Sequence, residues 1–246
     1  MHSYFHVSRS LTYSLLFSVP LLLAYELGAG YLAATQGSSL RNGADVLLRT
    51  LLAAGNMGGT LPLTALLLVI AAALIFLEQR RRRLALRLSP FVGMTMESIV
   101  YALLLGAVIG GLTQWVLHGV SQLPLSIDAG PLASLSFREG VVLSLGAGFY
   151  EELVFRVILV GGIFAILRGS GLERRPAGIF SAILAALLFS AFHYIGPYGD
   201  PWAVPSFLFR FLAGLAFSVL FLVRGFGITA WTHALYDIFI FAVRSS

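Results

Sequence analysis

The chain returns again and again to apolar runs about as long as the hydrocarbon core of a membrane is thick. A run of about 20 residues crosses that core as a helix, and runs of this kind recur from Leu11 to Val243. Of the 246 residues, 58% are hydrophobic and only 11% charged, less than half the charged share of about 25% in a soluble domain. The sequence therefore predicts an all-α, polytopic transmembrane bundle of about seven spans, six to eight, in a single integral membrane domain covering 1–246. Backbone groups in lipid must be satisfied within their own segment, which is why helices are expected throughout.

The predicted spans run in order. The first is Leu11–Ala34. Its apolar start resembles a signal-peptide core, but Glu26 follows and the hydrophobicity resumes, so an uncleaved span is expected. Leu40–Ala54 carries Arg41, Asp45 and Arg49 on one side of a helical apolar pattern and reads as an amphipathic helix at the interface. Leu61–Leu77 is the second span and Ile99–Leu117 the third, with a start as early as Phe91. Phe137–Leu167 is the fourth, too long for an upright helix, so a tilt or an interfacial start is expected. Gly178–Ile195, Trp202–Val223 and Ile228–Val243 complete the set. The loop His118–Ser136 and the cluster Gly196-Pro197-Tyr198-Gly199-Asp200-Pro201 are rich in helix breakers.

The formal net charge is +5. It comes from short connections, above all Arg80–Arg83, then Arg168–Arg175 and Arg224. Basic connections on one side of a membrane set orientation, so these belong in the cytoplasm and put the N-terminus inside. They are not read as a nucleic-acid surface. The chain has no cysteine, which excludes disulfides, thiolate nucleophiles and cysteine metal ligands.

Against this apolar background, Phe149-Tyr150-Glu151-Glu152-Leu153-Val154-Phe155-Arg156 is costly. Each charge at a helix centre costs about 2.5–3.5 kcal/mol to insert, so such residues are functional suspects. On a helix Glu152 and Arg156 share a face and can pair. Glu151 is turned about 100° away and has no cation of its own, which makes it the natural proton-transfer group, with Glu152 and Arg156 as positioned support. His193 ends the fifth predicted span. His233 and Asp237 lie one turn apart in the last, where a carboxylate can orient an imidazole. Glu26 and Glu97 are expected to cap or pair within the bundle, and Arg210 to snorkel or pair between helices. His2, His6 and His118 carry no argument.

Glu151-Glu152-x-x-x-Arg156, then Phe189-x-x-x-His193, then His233-x-x-x-Asp237, in that order on hydrophobic segments, resemble the CAAX protease and bacteriocin-processing family of intramembrane endopeptidases. The resemblance covers about 137–244, and residues 1–136 carry no motif that matches. It implies a helical membrane bundle in which Glu151 activates water against a peptide bond, with Glu152 beside it and Arg156 supporting. His193 and His233 would position water or stabilise the oxyanion, and Asp237 would orient His233. Family members commonly have Asn where this chain has Asp237, which adds a negative charge here.

Two mechanisms stay open. Glutamate and histidine suit zinc, and a zinc site would draw on Glu151, Glu152, His193 and His233. There is no His-Glu-x-x-His helix, so a metal-free glutamate mechanism with no cofactor is favoured. The expected partners are the lipid bilayer and a membrane-associated protein or peptide, cleaved in a membrane-proximal or C-terminal segment for processing or sorting. The Ala/Gly/Leu/Arg-rich composition with short loops points to a bacterial inner membrane. Two rival readings use the same residues: a proton-coupled transporter, which predicts paired repeats that the sequence lacks, and a non-catalytic scaffold. One difficulty follows from counting 1.5 Å per residue along upright spans. It puts His193 towards the outer side and His233 towards the inner, about 10–15 Å apart in depth.

Overall fold

In a computed structural model, residues 4–37, 40–55, 63–118, 135–196 and 199–245 are described, and among them there are helices and connections but no strand. In chain order these are α1 (Tyr4–Ser8), α2 (Leu11–Gln36), α3 (Gly43–Ala54), α4 (Leu63–Arg82), α5 (Leu88–His118) and α6 (Phe137–Gly146). Two π-helical stretches, Ala147–Glu151 and Leu153–Val160, lead into α7 (Gly161–Gly169). Then come α8 (Arg174–Phe192), α9 (Val204–Arg224) and α10 (Phe226–Ser245).

Six of these helices, α2, α4, α5, α8, α9 and α10, are long and apolar enough to cross a membrane. The remaining predicted span, the fourth, is the helical run 137–169, whose middle is wound to i→i+5 hydrogen bonds instead of i→i+4. The all-α polytopic fold is as the apolar runs require. The boundaries moved: the third span begins at Leu88, the fifth runs Arg174–Phe192 and not Gly178–Ile195, and α3 begins at Gly43 behind its cap Asn42. Most of the predicted 118–136 loop, and Pro197 and Tyr198 of the breaker cluster, lie outside the described residues.

Helix ends are set by local chemistry. Ser10 caps α2 by accepting from the Tyr13 N–H, and Ser136 caps α6 in a reciprocal box with Glu139. Gly225, at φ 85°, makes the tight turn between α9 and α10, a left-handed conformation that glycine adopts without steric cost.

The packing has a centre. α10 lies against α2, α5, α6, α9 and the Ala147–Glu151 stretch, while α8 pairs with α9 and with Leu153–Val160. Its close fit rests on Gly148: a methyl group there would come within 2.4 Å of the Ala230 carbonyl oxygen and 2.7 Å of the Ala234 Cβ. The main buried cluster joins Tyr25, Phe149, Tyr150, Phe155, Phe189, Phe226 and Ala230. Outward, α4, α5, α8 and α9 expose rows of Leu, Ile, Val and Phe, a surface that suits hydrocarbon.

Candidate active site

Glu151, Glu152 and Arg156 sit on the π-helical part of the 137–169 run and are 6%, 0% and 1% exposed. Groups this deep need partners, because an unpaired buried charge is expensive. The predicted Glu152–Arg156 pair forms, with Arg156 Nε 3.1 Å from Glu152 Oε2. The guanidinium lies over the rings of Phe189 at 4.5 Å and Phe217 at 5.5 Å, and its Nη2 donates to the Gly214 carbonyl at 3.4 Å. Cation–π contact with two rings makes up for donors that reach no acceptor.

His233 comes in from α10. Its Nδ1 donates to Glu152 Oε1 at 2.7 Å, since a carboxylate can only accept, and its ring stacks on Phe217 with centroids 4.6 Å apart. Its Nε2 is 3.6 Å from Asp237 Oδ2, beyond a direct hydrogen bond. The nearer orienting carboxylate of His233 is thus Glu152, which links His233 to Arg156.

Glu151 is held differently. Asn42 Nδ2 donates to its Oε1 at 2.8 Å. Its Oε2 is buried, has no hydrogen-bond partner among the described residues, and lies 3.9 Å from His193 Nε2. His193 follows the last residue of α8 and is a quarter exposed. Its Nδ1 donates to the Phe189 carbonyl at 2.8 Å, which leaves the lone pair of the neutral ring on Nε2, facing Glu151. The gap is too long for a hydrogen bond and short enough for one bridging water.

The structure therefore gathers Glu151, Glu152, Arg156, His193, His233 and Asp237 into one cluster, without the expected separation in depth. That count assumed upright helices and turns lying at the membrane surface. The α9–α10 turn is packed against its neighbours: Arg224 is buried, bonded to Glu97 and to Ser8 Oγ, and the Gly227 N–H donates to Ser14 Oγ at 2.7 Å. Two turns along α10 from it, His233 meets Glu152.

Sequence reading missed Asn42, Phe189 as a ring platform, and Phe217. Asn42 fell inside the predicted 40–54 helix, and nothing in its neighbourhood points 109 positions ahead to Glu151. The other charged residues pair as expected. Glu26 bonds Arg41, Arg49 and the Tyr150 hydroxyl, Glu97 bonds Arg224, and Arg210 bonds Asp200. No group of three or more His, Asp or Glu side chains among the described residues converges as a metal site, and Glu152 is already shared between Arg156 and His233.

Residues 133–239 match the family model described as type II CAAX prenyl endopeptidase Rce1-like, and no curated protein or solved structure matches the chain. The match bears out the motif resemblance over that segment, implies a protease working on a protein substrate at a membrane, and leaves Asn42 outside it.

Proposed function

We propose, taking residues 133–239 as an Rce1-like endopeptidase segment, that the chain hydrolyses a peptide bond in a membrane-proximal or C-terminal segment of a protein, with Glu151 as the base. The observation that carries this reading is the single unpartnered oxygen of Glu151, buried and turned towards His193 Nε2. A water placed between them donates one hydrogen to Glu151 Oε2 and the other to His193 Nε2. Its oxygen lone pair is then free to attack the peptide carbonyl carbon.

As the new C–O bond forms, Glu151 takes the water's proton and the carbonyl electrons move onto oxygen. When the C–N bond breaks, Glu151 returns that proton to the leaving nitrogen, and a free carboxyl and amine result. His233, fixed by Glu152 and backed by Asp237, and Arg156 beyond it, supply the positive side of the site for the oxyanion. Both carboxylates of the pair are used: one moves the proton, the other holds the cationic groups. The substrate enters on the side of His193 and Asp237, the two partly exposed groups of the cluster. No step here runs through a metal.

The test is peptide cleavage by protein in nanodiscs, using a library of membrane-spanning peptides. Glu151→Gln should lower kcat by about 100- to 10,000-fold, the usual worth of a positioned base, and His193→Ala should act in the same direction. Undiminished cleavage by Glu151→Gln overturns the reading. The same assay with a chelator, alongside metal analysis of the purified protein, decides between the metal-free and zinc mechanisms.

A further inference from the structure

We infer that Asn42, in the part of the chain outside the family match, is a positioning residue for Glu151 that completes the site from the N-terminal half. The inference rests on Glu151 acting as proposed above.

Every polar atom of Asn42 is assigned. Its backbone N–H donates to the Tyr25 hydroxyl at 3.0 Å, and Tyr25 in turn donates to the buried Asp45 Oδ2 at 2.9 Å. Its Oδ1 accepts from the Ala44 N–H at 2.9 Å and caps α3. That bond fixes which end of the amide is which, since the oxygen must face Ala44. The Nδ2 donor is left pointing at Glu151 Oε1. With Oε1 held, the carboxylate cannot rotate freely, and Oε2 is kept turned to His193.

The surroundings are shaped for this contact. A methyl group on Gly146 would stand 2.9 Å from the Asn42 Cβ and 2.5 Å from Tyr25 Cε2, so glycine there lets Asn42 reach the Glu151 helix. On the other side, a Cβ on Gly43 would be 3.3 Å from the Phe192 ring, beside His193. Two Asp45–Arg ion pairs, to Arg41 and Arg49, and the Glu26 pairs to the same arginines hold α3 against α2. Tyr150, the residue before Glu151, donates to Glu26 and ties the same network to the catalytic helix.

The two jobs of Asn42 can be separated. Ser and Asp both cap helices well, but neither can donate to Glu151 as the Asn amide does. In full-length protein in nanodiscs, Asn42→Ser should fold with a thermal midpoint close to that of the wild type, while Asn42→Asp buries a second carboxylate against Glu151 and should lower it. Their kcat should fall about 10- to 100-fold, as when a supporting hydrogen bond to a reacting group is lost, with KM within about twofold. Adding Asn42→Ser to Glu151→Gln should lower the residual rate no further, because Asn42 acts through Glu151. Gly146→Ala should reproduce the loss from the other side.

A wild-type kcat in either Asn42 variant overturns the inference. A second readout does not need turnover: the infrared carboxylate band that disappears in Glu151→Gln should shift in Asn42→Ser, and an unmoved band also overturns it. If the wild type cleaves no peptide, the protease reading falls while the infrared result still decides the role of Asn42.

Discussion

At the scale of single residues, Arg156 shows what burial demands. It neutralises Glu152, but most of its own donors face aromatic rings and not oxygens. Arg156→Met should therefore break a buried ion pair, leaving Glu152 with His233 alone, and cost about 3–5 kcal/mol, whereas the double change with Glu152→Gln should recover much of it. Reversible unfolding of the wild type and the two variants in detergent would measure the difference. The pairing of Glu152 with Arg156, and the distinct place of Glu151, were legible from spacing because side chains four apart on a helix meet wherever that helix lies. Partners from other helices were not. Asn42 holding Glu151 and Glu152 holding His233 depend on packing, to which a local pattern is blind.

At the scale of elements, the site depends on how closely α10 approaches the π-helical turn that carries Glu151. Gly148 sets that distance, with no room for a side chain between it and the Ala230–Ala234 backbone. Gly148→Val should force the two apart, destabilise the bundle by about 1–3 kcal/mol as overpacking does, and abolish activity by drawing His233 away from Glu152. Thermal midpoints together with cleavage rates would check both parts. The existence of the helices was legible because lipid admits few alternatives. Their ends and levels were less so. The 224–226 turn is buried with an Arg224–Glu97 pair formed across 127 positions, and no count along one segment could show that pairing.

At the scale of the whole molecule, orientation is the property that decides which substrates can arrive. Arg80–Arg83 and Arg168–Arg175 are exposed, as orientation signals should be, while Arg224 is spent inside the bundle. The chain has no cysteine, so single introduced cysteines report without background. Leu172→Cys should react with an impermeant maleimide only from the cytoplasmic side, and Gln36→Cys only from the outside. The reverse pattern would invert the topology.

The contact between Asn42 and Glu151 joins residues 109 positions apart, and His233 must still come in after both. A ribosome adds about 5–20 residues per second, so seconds pass between the emergence of α3 and that of α10. Until the last helix has entered the membrane, the two glutamates have no histidine from α10 beside them. On the proposed mechanism, assembly order then acts as a safety catch: a half-made chain lacks the histidine that hydrolysis needs, and cleavage starts only once synthesis has brought the final span into place.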